Sequence, residues 1–456
     1  MISRLTLLLL CLPAGGCFFS ERSLPLDPRD RVSVTPPAVA PLTTRQWLAA
    51  VEPQLAKLRP PHPKKPMLTD EMVRPDGKPA DMVAAYNIRV GNLESLVWNF
   101  WGLAYSAQAV SSRDVTGPPP PWAGFEDVWV PVHPGLEYSA RLGWARDTAG
   151  TIRDADCIVI MAGIRGDNNV MRVRDLSMAL RACGFHVLAV EVRGTGGTDR
   201  RFPNCEYTWG TLETEDLMVV ADWLQAKPHV KRTGMIAYSW GANQCLLAAW
   251  AEGRPDDNVG IPPRLLPYIT RPPRPRRRYE AGMIGFSPVL RFEELMDVME
   301  TEQPVLMHPA ISGLQTTIRS RMIQKKYANP RGSVHELLKY IGIGYPQDAF
   351  DGLEYVRIMP YKTLKVHERV APIRVPVLLV HAADDMIAPA QDVADFLARS
   401  PNPNVAAIML PTGGHIGFGP YAPAWYYNLI LNFFDPQIGA AACANPKQPP
   451  VARATK

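Results

Sequence analysis

From residue 157 onward, uninterrupted apolar runs alternate with helix-forming stretches. That alternation constrains the fold more than any other feature of the chain. The runs are CIVIMAG at 157–163, HVLAVEV at 186–192, GMIAYS at 234–239, AGMIGFS at 281–287, PVLLVHA at 376–382 and AAIMLP at 406–411. Helical patterns fall between them, near 169–183, 213–227, 240–252, 390–400 and 422–434. A strand that is apolar at every position has to be covered on both faces. The pattern therefore predicts an α/β class with a mostly parallel central sheet and helices on both faces. Ahead of it, FEDVWVPV at 125–132 and LEYSARLGWAR at 136–146 alternate as antiparallel strands do.

Two stretches interrupt the alternation. Residues 253–280 carry RPPRPRRR. This run follows a helix that starts at the carboxyl edge of the sheet, so it should lie at the opposite edge. It reads as a solvated loop, or as a contact for anionic lipid or another polyanion. Residues 288–370 lie between two core strands without a comparable strand run. They read as a helical cap over the carboxyl edge, placed to shape a pocket and exclude water.

The amino-terminal part differs in kind. It opens MISRLTLLLLCLPAGGCFF, with Arg4 ahead of an apolar stretch, Leu5–Leu12, that is too short to span a bilayer. Ala14, Gly15 and Gly16 then precede Cys17. This resembles a bacterial lipoprotein signal, in which the cysteine is lipidated and becomes the new amino terminus. It departs from the usual pattern in having Ala14, not leucine, three residues before the cysteine. The alternatives are an ordinary signal peptide cleaved nearby and an uncleaved or cytoplasmic segment. The first two readings imply export, to a bacterial cell envelope on the periplasmic or outer-membrane side. A lipidated Cys17 adds a membrane anchor that does not span.

Residues 18–41 are polar and Pro-rich, as a tether is. Residues 43–58 read as a short helix. Residues 81–112 read as a long amphipathic helix, packed on the main domain or lying in a lipid interface. The expected organisation is a signal segment at 1–17, a tether and helical extension at 18–123, the main domain at 124–436 and a tail at 437–456. Of the seven cysteines, none forms a CxxC pair, which argues against a metal site. Cys157 and Cys245 fall in apolar runs and read as small core residues. The net charge of +5 comes with no aromatic-basic module, so nucleic acid is not an expected partner.

The chemistry begins at MIAYSWGANQ, residues 235–244, where a strand runs into Ser239 and then a helix. A serine hydroxyl needs a base to become a nucleophile. A strained strand-to-helix turn presents it, and crowding there demands small residues two before and two after. Ala237 and Gly241 meet that demand, although glycine is commoner at the first. The base is expected after the last strand, where LPTGGHIGFGP at 410–420 supplies His415. The acid is expected after the penultimate strand. LLVHAADDMIAP at 378–389 offers Asp385, four residues before Pro389, with Asp384 as the alternative. Backbone N–H groups of Trp240 and Ile164, the latter in MAGIRGDNN at 161–169, are the expected oxyanion donors. Ala162 stands where a histidine is usual. VRGTGGT at 192–198 lacks the spacing of a dinucleotide-binding turn.

The order Ser239, Asp385, His415, each after the strand where it belongs, and two antiparallel leading strands fit the α/β-hydrolase fold. The pieces AGIRGDNN, VRGTGGT, WGTLETEDLMVVADWL, AYSWGANQ, HAADD and GGHIGF resemble the YheT-like group of α/β hydrolases. Glu215-Asp216 and Asn243 match positions where that group has similar residues. The resemblance covers roughly 124–436 and implies serine carboxylester hydrolase chemistry, with no metal or organic cofactor. The expected substrate is a small-molecule or lipid ester. Alternatives are a thioesterase or peptidase with the same triad, or a catalytically silent hydrolase-like lipoprotein that binds a ligand or envelope partner. The sequence does not specify an oligomeric state.

Overall fold

A computed structural model describes residues 42–60, 120–254, 270–290 and 370–434, with Val32 and Val34, and apart from positions 165, 206, 209, 273, 386, 389, 400 and 401. The signal segment with Cys17, the helix expected at 81–112, nearly all of the cap expected at 288–370 and the tail at 437–456 lie outside the described residues.

Eight strands form one sheet: β1 (Phe125–His133), β2 (Leu136–Gly143), β3 (Ala155–Met161), β4 (His186–Glu191), β5 (Val230–Tyr238), β6 (Gly282–Phe286), β7 (Val377–Ala382) and β8 (Val405–Leu410). Their spatial order is β1-β2-β4-β3-β5-β6-β7-β8. Strand β2 is antiparallel to both neighbours, and β3 to β8 are parallel. This is the α/β-hydrolase fold that the apolar runs predicted.

The strand alternation splits the core in two. Cys157, Val159 and Met161 of β3 join one apolar cluster, and Ile158 and Ile160 join the other. Strand side chains point to alternate faces, so each run of consecutive apolar residues feeds both layers. On one face lie α4 (Thr211–Gln225) and α5 (Trp240–Gly253), through Leu217, Leu224 and Leu246. On the other lie α2 (Met171–Ala182) and α8 (Pro423–Phe434), through Leu176, Leu180 and Leu429. Short helices α3 (Gly196–Arg201) and α7 (Phe418–Tyr421) and the longer α6 (Ala390–Arg399) complete the hydrolase domain. Among the described cysteines, Cys157 and Cys245 are buried, as expected.

Ahead of the sheet, α1 (Thr44–Leu55) starts in a capping box. The Thr43 hydroxyl accepts from the Gln46 N–H, and the Gln46 side chain accepts from the Thr43 N–H. Trp47 of α1 meets Phe433 of α8 edge-on at 5.3 Å. The stretch expected to be a tether is docked at Val32 and Val34. The Val32 N–H donates to Asn428 Oδ1 at 2.7 Å, and Asn432 Nδ2 donates to the Val32 carbonyl at 3.2 Å. Both asparagines lie buried in an apolar helix, where an unpaired amide is costly. Val32 and Val34 supply part of their pairing.

The arginine run lies at the amino edge of the sheet, as expected, but the solvated-loop expectation needs correction. Arg276 donates to carbonyls at the start of β5, and Arg277 to the Arg374 carbonyl ahead of β7. Arg278 is 1% exposed, pairing with Asp222 at 2.7 Å and Glu252 at 2.7 Å. Burial works against its charge, and the two carboxylates more than offset this, leaving its pKa above the ordinary arginine value. Arg271 and Arg274 reach the same Asp222, at 3.1 and 2.9 Å. The charge run is in part an internal ion-pair cluster, satisfied by acids on α4 and α5.

Register decides where the chemistry falls. Met161 pairs with Ala237, Tyr238 with Phe286, and Ala382 with Leu410. The strands therefore end in one row. The loops after β3, β5, β6, β7 and β8 all open on the same edge, where open α/β sheets bind ligands.

Candidate active site

Ser239 follows the last residue of β5 and precedes the first of α5, with φ 53° and ψ −123°. A non-glycine residue seldom adopts positive φ, and such strain persists only where the surroundings over-determine it. Here the Ser239 N–H donates to the Phe286 carbonyl at 2.7 Å, and the Ala242 N–H donates to the Ser239 carbonyl at 2.9 Å. The turn is crowded as the sequence implied. A Cβ on Gly241 would stand 2.5 Å from the Ala162 carbonyl oxygen, and one on Gly163 would stand 2.9 Å from Ser239 Cβ.

His415 reaches this serine from the loop after β8. Its Nδ1 lies 2.9 and 3.0 Å from the two oxygens of Asp385, and its Nε2 lies 2.8 Å from Ser239 Oγ. An ionised carboxylate only accepts, so Nδ1 carries the proton and Nε2 is left to accept from the serine hydroxyl. Ser239, His415 and Asp385 are 7%, 2% and 0% exposed. Burial alone would raise the Asp385 carboxyl pKa. The charge and hydrogen bond of His415, the nearby His381 and the Ala388 N–H together hold it well below the usual carboxylate range. The Ile387 and Ala388 N–H groups donate to its Oδ1 at 2.8 and 2.9 Å.

Asp384, the alternative acid, has a different task. Its oxygens accept from the Thr412 hydroxyl at 2.5 Å and the Gly414 N–H at 2.7 Å. It thereby ties the histidine loop to the end of β7, while Asp385 faces the imidazole. Gly413 and Gly414, at φ 143° and 57°, take conformations that side chains resist, which turns His415 toward Ser239. The Ile416 N–H donates to Ser287 Oγ at 3.2 Å, a second tie.

The two expected oxyanion donors belong to residues next to the serine turn: Trp240 follows Ser239, and Ile164 follows Gly163, which packs against it. Trp240 is the first residue of α5, where N–H groups point out of the helix end and the helix dipole favours negative charge. Ile164 follows Gly163 on the loop that passes against Ser239. That loop turns through a Gly166 N–H to Gly163 carbonyl bond of 3.0 Å.

Glu191 escaped the sequence reading, and for Asn243 and Asp216, which it singled out, it gave no contacts. Asn243 holds the chain leaving β6, accepting from the Val289 N–H at 2.8 Å and donating to the Val289 carbonyl. Glu191 takes the Gly197 N–H at 2.7 Å, so the glycine-rich VRGTGGT turn already holds an anion of the protein's own. Asp216 accepts from Arg193 at 3.0 Å and from the Tyr138 hydroxyl at 2.5 Å, inside the domain. The motifs that carry these residues were visible, but their partners were not. A cavity of about 620 Å³ lined by His133, Glu137, Arg201 and Phe202 lies by the β1–β2 turn, apart from the serine.

A parallel sheet, a strained serine at the end of β5 and an aspartate-held histidine after β8 define the class of an α/β hydrolase. The sequence model of the alpha/beta hydrolase family matches residues 169–429. The chain belongs to the alpha/beta hydrolase family. Among solved structures it is similar to the esterase Pf2001 of Pyrococcus furiosus, at 17% identity and TM-score 0.41, over 70% of this chain and 98% of that one. It is also similar to Est1E from Butyrivibrio proteoclasticus, at 14% identity and TM-score 0.39, over 68% and 99%. A third is 2,6-dihydroxy-pseudo-oxynicotine hydrolase, at 12% identity and TM-score 0.42, over 79% and 93%. No curated protein matches the sequence.

Proposed function

We propose that the protein is a serine hydrolase that cleaves carboxylic esters through an acyl-enzyme. The observation that carries this reading is the 2.8 Å approach of His415 Nε2 to the hydroxyl of a strained Ser239. In this mechanism Ser239 Oγ attacks the ester carbonyl carbon as its proton passes to His415 Nε2. The carbonyl π electrons move onto oxygen, and the Trp240 and Ile164 N–H groups stabilise that oxyanion. The intermediate collapses, the C–O bond to the alcohol breaks, and His415 returns the proton to the leaving oxygen. Water then repeats the sequence on the acyl-enzyme, releasing the acid. Asp385 holds the imidazole in the required tautomer and balances its charge.

The substrate we propose is an acyl ester, and a lipid ester in particular. This follows from the further proposal that the chain is exported and anchored through a lipidated Cys17, supported by Arg4, Leu5–Leu12 and the small residues before the cysteine. Within the family, its motifs favour the YheT-like group. A fluorophosphonate probe tests the chemistry. The wild type should label at Ser239, and Ser239→Ala and His415→Ala should not. A folded, unlabelled wild type would refute the proposal. Parallel ester, thioester and amide substrates separate hydrolase types that share the triad. Incorporation of labelled fatty acid, lost in Cys17→Ala, tests the anchor.

A further inference from the structure

Glu191 ends β4 and is buried, where an ionised side chain is costly. Burial first, and the charge of Asp167 next, push its carboxyl above the ordinary range, against the pull of its hydrogen-bond donors. Its two oxygens fasten two different loops. Oε1 accepts the Asn168 N–H at 2.9 Å, and Oε2 accepts the Gly197 N–H at 2.7 Å. The Ser139 side chain gives a further hydrogen bond. The Thr198 hydroxyl donates to the Glu191 carbonyl at 2.6 Å and accepts the Ser139 N–H at 2.8 Å. Glycine at 196 lets the turn close on the carboxylate, which a Cβ would strike.

The first of these loops carries Ile164. It leaves β3, wedges Gly163 against Ser239, and turns back to Asn168. Asn168 is pinned twice, by its N–H on Glu191 and by its side-chain amide on the Ala189 carbonyl at 3.1 Å. Ile164 is thus suspended between two fixed points, one at the serine and one at Glu191. Only a carboxylate offers two acceptor oxygens in this geometry. A glutamine would turn an NH2 toward one of the backbone N–H groups.

We infer that Glu191 is a positioning residue, which sets the Ile164 N–H against the developing oxyanion by pinning the return leg of its loop at Asn168. The inference rests on the ester-hydrolase reading of the same site. It assigns Glu191 no contact with substrate. An oxyanion donor acts only within a narrow distance of the transition-state oxygen, so loosening the loop should weaken transition-state binding while leaving ground-state binding intact.

The test is Glu191→Gln in the purified protein, with ester kinetics, fluorophosphonate labelling and the affinity of a trifluoromethyl ketone that forms a serine hemiketal. Direct loss of one oxyanion donor costs on the order of 10²–10³ in kcat; a displaced donor should cost about 10- to 100-fold. KM should stay within about twofold, and ketone affinity should fall by the same factor as kcat. Asn168→Ala, which removes only the side-chain tie, should show a smaller loss confined to kcat. A folded Glu191→Gln variant with wild-type kcat, or one whose loss lies in KM, overturns the inference alone. A wild type that neither labels nor hydrolyses esters overturns the ester-hydrolase reading and the inference with it. If Glu191→Gln does not fold, Glu191→Asp, which keeps the charge with a shorter reach, carries the same comparison. Failure of both to fold would make Glu191 a folding residue and overturn the inference.

Discussion

Replacing Asp385 with asparagine should separate orientation of the base from architecture. Asp385 Oδ1 accepts two backbone N–H groups, from Ile387 and Ala388, at 2.8 and 2.9 Å. An asparagine can keep those bonds with its one oxygen, so the turn should survive. Its NH2 must then face His415 Nδ1, which lies 2.9 Å from Asp385 Oδ2. A donor facing Nδ1 favours the tautomer with its proton on Nε2. That proton would point at Ser239 Oγ, 2.8 Å away, and the histidine could no longer accept from the serine. The same inversion in a serine-protease triad lowers kcat about 10⁴-fold, or about 5.4 kcal/mol of barrier. We expect a loss of that order in ester kcat, a matching fall in fluorophosphonate labelling rate, and little change in KM. Asp384→Asn should behave differently. It keeps an acceptor for Thr412 or Gly414 and loses the other bond, at about 1–3 kcal/mol of stability and roughly tenfold in kcat by loop loosening. A loss below tenfold in Asp385→Asn, or an equal loss in Asp384→Asn, would refute the assignment.

Ser239→Gly should abolish activity yet stabilise the fold by about 1 kcal/mol in denaturant titration, because glycine relieves the cost of φ 53°. Gly241→Ala should cost about 1–3 kcal/mol, since its Cβ meets a backbone oxygen at 2.5 Å, and the displaced Ala162 loop should lower kcat as well. Arg278→Ala leaves Glu252 without its buried partner and should cost about 3–5 kcal/mol. The half-exposed Arg274→Ala should change stability by less than about 1 kcal/mol; equal effects would contradict the buried-cluster assignment. The depressed Asp385 pKa favours the ionised form in the fold. Its stabilisation is therefore present above the unfolded value of about 3.9 and lost as pH falls through the folded value. Wild-type stability should thus fall more steeply than that of Asp385→Asn below about pH 4, measured by urea unfolding against pH.

Much of this architecture was legible locally. The apolar runs became strands within two residues at each end, except that β5 starts four residues earlier at Val230, because burial on both faces writes itself into consecutive residues. The elbow was legible because a crowded turn permits few residue types, and Gly241 against Ala162 shows how little room there is. Arginine residues 271–278 misled because their partners, Asp222 and Glu252, lie in other parts of the chain. Val32 and Val34 misled likewise. Their partners on α8 lie 396 and 398 residues away, and no local pattern announces them.

What the amino-acid sequence determined by itself was the run of strands and helices through the sheet and the chain order of Ser239, the aspartate pair and His415. These follow from periodicity, small residues and turn chemistry, which act over a few residues. What only the tertiary structure decided was which atoms meet. It set Asp385 against the imidazole and Asp384 against the loop, and brought His415 to a serine 176 residues earlier. It also closed the Glu191 carboxylate on two loops at once. The spacing to Pro389 favours Asp385 in the sequence, but the two adjacent aspartates are chemically equal side chains. Strand register and loop closure direct them to different partners, and those are properties of the packed sheet.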